Sequence, residues 1–503
     1  MDSFARLENN LVHNSPNAHT QDWWALNTRS MHCFKILFGC FFILVGLKSV
    51  SAVERYQIDP YSFHEVNLRY DVLKTSESCS GLIRPWYLTN TREVESFLFQ
   101  LQPSLIPNGN SHNVGINSWI QLSINRGLVV VNEMHLNYAS QNDPSYIGKE
   151  WRSISGLTNQ SFLQWNRKMG STGRMAMQVG RFYSQLGPGR SGQLLLGANN
   201  RPMDQFSLSL DHAILKDLAA RFFFQTSTLD KFGSDNRFMS LHRLEVSSSN
   251  WYIALSEALT YTRDTQGNDL VYLNPFIFYH LEQLNGPDLL GNTIGTLEIG
   301  YKWNTSHIYS EILIDDVQFD NEVKGDLEPN EVGGLFGYEY AGDSYYLSIE
   351  GVALTNRTFK TPNPSEWFLH RNMPIGYELG SDVGRFNVLS RYYLRDGWHV
   401  DTEIDLIWQG EGELSAAWDT PWNEDSITME TGYSEPFPTG VVEKSFVLST
   451  ELMRHWDRER WISLGISYEN INNVDHIQDE KDNGLNIHLS VSWTLEYEAI
   501  FKQ

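Results

Sequence analysis

The run Leu485-Asn486-Ile487-His488-Leu489-Ser490-Val491-Ser492-Trp493-Thr494-Leu495-Glu496-Tyr497 alternates apolar and polar side chains without a break. Successive side chains of a strand point to opposite faces, so this period puts seven apolar residues on one side and Asn, His, Ser, Thr and Glu on the other. A strand of about 13 residues is also long for a globular sheet, where 5–6 is usual. The alternation recurs in Phe206–Asp211, Leu297–Trp303, Val400–Leu406 and Ile462–Tyr468. Each time one face is aliphatic and aromatic and the other is polar.

The connections supply the second signal. Asn304-Thr305, Gly342-Asp343 and Asp396-Gly397 suit tight hairpins, whereas the stretches near 282–293, 315–332, 355–385, 409–443 and 469–483 are long and rich in Gly, Pro, Asn, Asp and Glu. Short and long connections alternate back from the C-terminus, the asymmetry of an outer-membrane barrel with short periplasmic turns and long surface loops. About seventeen strands are legible between 115 and 497. A bacterial barrel needs an even number, which points to sixteen or eighteen, with one strand merged near Ser161–Lys168. The reading is an all-β membrane protein, a closed antiparallel transmembrane β-barrel of about 18 strands over residues 115–503.

Composition agrees by what it excludes. The chain has 503 residues, 41% of them hydrophobic, and a net charge of -23, so phosphate neutralisation cannot hold it to nucleic acid. Apart from 36–47, no apolar run approaches the roughly 20 residues of a membrane helix. The mean hydropathy of -0.37 is no argument against a barrel, whose alternating faces cancel in the average.

The N-terminal part reads as an address and a cap. Lys35, the apolar stretch Ile36–Leu47 and the small residues ending at Ala52 describe a secretory signal over 31–52, with residues 1–30 an extension upstream of a start at Met31. Cleavage there leaves 34 basic against 58 acidic residues, net -24, and Cys79 as the last cysteine. Residues 53–114 are expected to form a small periplasmic helical cap. Val66, Tyr70 and Leu73 would share one helical face, and Asn90 and Glu93 stand at capping-box spacing before Val94, Phe97, Leu98 and Leu101.

Two stretches carry candidate chemistry. The segment from Asp396 to Glu443 holds twelve acidic residues and no Lys or Arg, with Trp408, Trp418 and Trp422 among them. Exposed indoles could stack on sugar rings while Asp419 and Glu424 accept hydroxyl hydrogen bonds; with Asp425 the same carboxylates could bridge a divalent cation to an acidic polysaccharide. The alternative is an interfacial aromatic belt at Trp408 and solvated acids. Asp315-Asp316 raises a glycosidase reading, but neighbours on a strand point to opposite faces. No histidine spacing supports a metal or nucleophile site, and no cofactor is expected. The second stretch runs from Arg181 through Gly187-Pro188-Gly189, Asn200, Arg201 and Pro202 to Asp204: a strand, a turn of unusual backbone angles, and a polar loop re-entering a strand at Phe206. It reads as a structural loop folded inside the barrel, without the Gly-Lys-Ser/Thr of a phosphate cradle.

This block resembles the capsule assembly (Wzi-type) family of outer-membrane proteins. So do Asn67-Leu68-Arg69 with Asp71, Gly81-Leu82-Ile83, Pro85-Trp86, Asn274-Pro275 and Glu311–Asp316, in order along the chain. Where the family carries a Trp pair before the Gly-Pro-Gly, this chain has Gln185-Leu186. The resemblance implies an 18-stranded barrel, closed by loops and a periplasmic helical cap, that binds and retains capsular polysaccharide at the cell surface: a lectin and anchor, not an enzyme. The partners implied are capsular or exopolysaccharide, outer-membrane lipid and the polysaccharide export machinery, with a monomeric chain. A sugar channel and a secreted carbohydrate-active enzyme are the alternatives.

Overall fold

The computed structural model describes residues 69–70, 73–74, 95–108, 111–124, 127–138, 154–197, 201–263, 271–283, 285, 291–318, 322–456 and 460–502. All belong to one compact unit, Val50–Gln503. Residues 1–52, Val66, Asn90 and Glu93 lie outside the described residues.

The chain runs β1 (Glu95–Asn108), β2 (Ser111–Ile124), β3 (Leu128–Tyr138), β4 (Ile154–Met169), β5 (Gly173–Phe182), β6 (Met203–Leu215) and β7 (Leu218–Thr228). Then follow β8 (Asn236–Ser248), β9 (Trp251–Arg263), the short helix α1 (Tyr279–Gln283), β10 (Gly291–Trp303), β11 (Ser306–Asp316), β12 (Glu331–Ala341) and β13 (Tyr345–Leu354). A two-strand hairpin, β14 (Leu369–His370) and β15 (Met373–Pro374), precedes β16 (Val383–Tyr393), β17 (Trp398–Gln409), β18 (Glu443–His455), β19 (Arg460–Asn472), β20 (Lys481–Trp493) and β21 (Leu495–Lys502).

Apart from β14 and β15, the strands form one 19-stranded antiparallel sheet. Consecutive strands pair with one another except β20 and β21, which continue one line, and β1 pairs with both β2 and β21, so the sheet returns on itself. Only Thr494 separates β20 from β21; β19 flanks one and β1 the other, which makes eighteen lines of chain around the wall. Closure satisfies every edge, as a bilayer requires.

β1 corrects the sequence reading. Residues 95–101, expected to be the second cap helix, are strand, and the barrel begins at Glu95 rather than 115. Phe97, Phe99 and Leu101 carry a period of two beneath the helical spacing, and the unpaired edge of β21 selects it. The seventeen lines expected between 115 and 497 are β2–β13, β16–β19 and the continuous β20–β21, and the eighteenth is β1, outside that range; Ser161–Lys168 lies inside β4, one of the seventeen. Arg69, Tyr70, Leu73 and Lys74 are helical, with Leu73 buried against Tyr252, Ala341, Tyr346 and Leu389.

The two faces of the wall are inverted relative to a water-soluble protein. Leu485, Ile487, Leu495 and Tyr497 are more than half exposed, as is Ile299. On β10 the alternate residues Glu298 and Lys302 are buried, pointing inward. An apolar outside and a polar inside is the membrane arrangement. Trp251, Trp303, Tyr345, Tyr392, Trp456 and Trp493 stand exposed near the short-turn rim, the position of an interfacial aromatic girdle. Inward charges are paired: Arg243 with Glu245 and Glu298, Arg391 with Asp401, and Arg385 with Asp405.

Candidate functional site

Three of the long connections at one rim nest inside and over the barrel mouth. The innermost is the Gly-Pro-Gly segment after β5. Leu186, Leu194, Leu195 and Leu196 are buried in one cluster with Leu313, Leu335 and Leu354 of the wall. Its backbone N–H groups, which lack a sheet partner there, are taken by inward carboxylates. Glu350 accepts from the N–H of Arg190 and of Ser191, both at 2.8 Å, and Glu311 accepts from Leu194 at 3.3 Å. The Arg190 guanidinium reaches Ser348 at 3.1 Å and also Asn387. Arg69, far upstream in the chain, inserts from the opposite rim and donates to the carbonyls of Pro188 (2.8 Å) and Gly189 (3.1 Å) and to Glu339 (2.8 Å). Two landmarks remote in sequence, Arg69 and Gly187-Pro188-Gly189, thus form one lock across the lumen.

The middle layer is the 355–382 connection, with Phe359, Phe368, Ile375 and Tyr377 buried. Gly197 donates to the carbonyl of Ile375 at 2.8 Å. Gly192 has φ +143, and a Cβ there would sit 2.6 Å from the Tyr377 ring, so both conformation and space require glycine. The outer layer is the 410–442 connection. Asp382 accepts from the N–H groups of Gly412 and Thr439, both at 2.9 Å, and Lys360 donates to the carbonyls of Glu413 (3.0 Å) and Ala416 (2.9 Å).

The residues expected to meet polysaccharide separate here into three positions. Trp422 is 2% exposed. Arg357 lies over its ring at 4.9 Å, and Trp418 and Tyr433 flank it at 6.5 and 6.1 Å. That guanidinium donates to Asp419 at 3.0 and 3.1 Å and to Glu435 at 2.8 Å. Trp418 is half-buried beside exposed Asp419, Glu424 and Asp425. The carbonyl of Glu424 accepts from Lys324 at 2.5 Å, which ties the 317–330 connection to this surface. Trp408 is on the outward face of β17 at the same rim, paired in register with Gly384, where an added Cβ would meet the Trp408 ring at 3.6 Å. Among the described residues no three His, Cys, Asp or Glu side chains are grouped to hold a metal ion.

Arg357 is the residue the sequence reading missed. The signal was present: a 410–442 loop with seven carboxylates and no cation must find its counter-charge elsewhere. Burial lowers the Arg357 pKa but its contacts with Glu435 and Asp419 prevail, so it is held above its ordinary value. Glu328, on the neighbouring connection, is pushed up to about 7 by burial and the Asp316 carboxylate, against the opposing Arg357 charge. Asp315 and Asp316 are not a pair: Asp315 accepts from the Phe359 N–H at 2.5 Å, and Asp316 from the Gln318 side chain at 2.9 Å.

Of the motif residues, Gly187, Pro188, Gly189 and Pro202 are buried. Arg181 and Asp204 pair at the rim through two hydrogen bonds of 2.7 and 2.8 Å. Arg201 is half-buried beside them in sequence, and Asn200 lies outside the described residues.

A family described as capsule assembly protein Wzi matches residues 168–484 of this chain. No curated protein matches in sequence. Among solved structures, the chain is similar to Wzi of Escherichia coli, described as an outer membrane protein involved in group 1 capsule assembly and a carbohydrate-binding β-barrel. The identity is 13% and the TM-score 0.55, over 87% of this chain and 98% of that one. OccAB4 of Acinetobacter baumannii (10% identity, 81% of this chain and 100% of that one) and OccD3 of Pseudomonas aeruginosa (9%, 82% and 93%) both have TM-scores of 0.42.

Proposed function

Because the chain belongs to the capsule assembly protein Wzi family, we propose that it is an outer-membrane surface lectin that binds capsular or exopolysaccharide and retains it on the cell during capsule assembly. The observation that carries this reading beyond the family is the triple nesting of loops. A barrel whose mouth is filled by Leu194–Leu196, then Phe359 and Tyr377, then Leu414 offers a surface rather than a passage. A carbohydrate-binding role described for the Escherichia coli Wzi protein, which shares the fold, supports the same ligand class. The face that meets polysaccharide in this reading is the outer layer, where half-buried Trp418 presents an indole beside Asp419 and Glu424. Arg357 and Trp422 hold that face in shape from below. The reading needs no catalytic group; a divalent cation would serve only to bridge exposed carboxylates to an acidic polymer.

Deletion in a capsulated host, followed by measurement of cell-bound against shed polysaccharide, tests the proposal. The expected result is a shift to the shed fraction, restored by the intact chain. An unchanged partition overturns the anchor reading, and sustained single-channel conductance by the purified chain would replace it with a channel.

A further inference from the structure

The outer face of the wall is covered in one sector. On β8 and β9 the inward residues Met239, Leu241 and Ala258 belong to the buried cluster inside the barrel. Phe238, Leu259 and Tyr261, of the opposite parity, form a second buried cluster outside it, with Tyr272 and Tyr279. The connection after β9 thus packs on the outside of the barrel rather than in the lumen. We propose that this elbow, residues 271–283, is embedded in the outer leaflet of the membrane, and that Phe276, Phe278 and Leu281 are its docking surface for lipid acyl chains.

Height along β9 places the elbow within the apolar band. Lower on the same outer face Ile253 and Leu255 of β9 and Leu244 of β8 are bare. Glu257 lies six residues above Trp251 of the short-turn rim, about 20 Å of strand at ~3.3 Å per residue and about 15 Å of height at a tilt of ~40°. Tyr261, four residues further, reaches about 25 Å, the full height of the apolar band of such a barrel. Outward positions inside that band nonetheless carry polar groups: His242 and Glu257, opposite one another in register and 3.3 Å apart, and Thr293 of β10, opposite Leu259. Facing acyl chains directly, the carboxylate would lose water without gaining donors.

The inner side of the elbow supplies those donors. The N–H groups of Tyr279 and His280 donate to Glu257 at 2.9 and 2.7 Å, and the His280 ring meets the Thr293 hydroxyl at 3.4 Å. The Tyr279 ring lies against His242 at 4.7 Å, Phe276 stacks on Phe222 at 4.9 Å, and Tyr272 packs on Tyr261 at 4.7 Å. Arg263 lies over the Tyr261 and Tyr272 rings at 5.5 and 5.9 Å, a charge at the upper edge of the band. The outer side is apolar: Phe276, Phe278 and Leu281 are 70, 64 and 58% exposed. The elbow therefore replaces a polar patch by three large apolar side chains, and its surface continues the lipid-facing wall below it. Depth and continuity with that wall both select acyl chains as the occupant.

The inference rests on the outer-membrane placement and is independent of polysaccharide binding. Its test puts p-benzoylphenylalanine in place of Phe278 in the full chain, which is irradiated in dioleoylphosphatidylcholine nanodiscs. Mass spectrometry should show the chain heavier by one lipid. The same replacement at Leu255, on bare wall, should also give the adduct, and at Gln478, exposed between β19 and β20, should give none. Leu281→Arg reads the depth by equilibrium. In vesicles of the same lipid it should lower the folding equilibrium constant by roughly five- to thirtyfold, the loss for a cation on the lipid face between midplane and interface. Heat-modifiable gel mobility reports that each chain folds. No lipid adduct at position 278 while position 255 gives one, or a Leu281→Arg chain as stable as wild type, puts the elbow in water and overturns the proposal. Crosslinking to a second copy also overturns it and assigns the face to a dimer.

Discussion

Replacing Trp422 by alanine should open the outer loop without unfolding the barrel. Its indole is 2% exposed, at the centre of Trp418, Tyr433 and Arg357. Truncating a buried Trp to Ala removes about 3–5 kcal/mol, through lost burial and the cavity left behind. That range already contains the ring contacts and the cation–π interaction, worth roughly 0.5–2 kcal/mol on its own. None of this borrows from the strand ladder, so the whole effect falls on local opening of residues 410–442, whose equilibrium should shift by roughly two to three and a half orders of magnitude. Limited proteolysis of the folded protein reads the change directly, as faster cleavage within 410–442 while heat-modifiable mobility is retained. Polysaccharide binding should fall with it. Trp418→Ala, at a half-buried ring, should leave proteolysis close to wild type and still weaken binding, which separates a packing role from a contacting one. If Trp422→Ala is cleaved no faster than wild type, the loop is held by something other than the Arg357–Trp422 core and the reasoning fails.

Two further outcomes follow from named contacts. Arg69→Ala takes the guanidinium counter-charge from buried Glu339, which keeps its contacts with Tyr346 and His307, and frees the carbonyls of Pro188 and Gly189, so thermal stability should drop by about 3 kcal/mol; Arg69→Lys should recover little, because one ammonium cannot reproduce the forked contacts. An Arg69→Lys variant as stable as wild type would refute the lock. Glu328 has a folded pKa of about 7, above the roughly 4.3 of a free glutamate, so the folded loop takes up a proton as pH falls through that window and gains stability. Proteolytic protection of 317–330 should be higher at pH 6 than at pH 8, and Glu328→Gln should be protected at both; a pH dependence that survives this substitution points to another group.

Local periodicity was enough to establish the barrel. Alternation along Leu485–Tyr497, repeated in further strands, leaves one face that only lipid or a core can accept, and the alternation of short and long connections selects lipid. The same local reading could not resolve residues 94–101, where Val94, Phe97, Leu98 and Leu101 fit a helix while Phe97, Phe99 and Leu101 fit a strand. Long-range pairing resolves it, since β21 presents an edge that must be hydrogen-bonded and β1 is the segment that reaches it. The contents of the lumen were equally beyond local reading. Gly187-Pro188-Gly189 announces an unusual turn, but that Arg69 and Glu350 hold its backbone depends on strands distant in sequence. Trp418 and Trp422 look alike in the sequence and differ in the fold, because one is covered by Arg357, contributed by another loop. Periodicity is a property of neighbours along the chain and survives without the fold; pairing of buried charge and covering of a ring are properties of neighbours in space, which only closure of the barrel brings together.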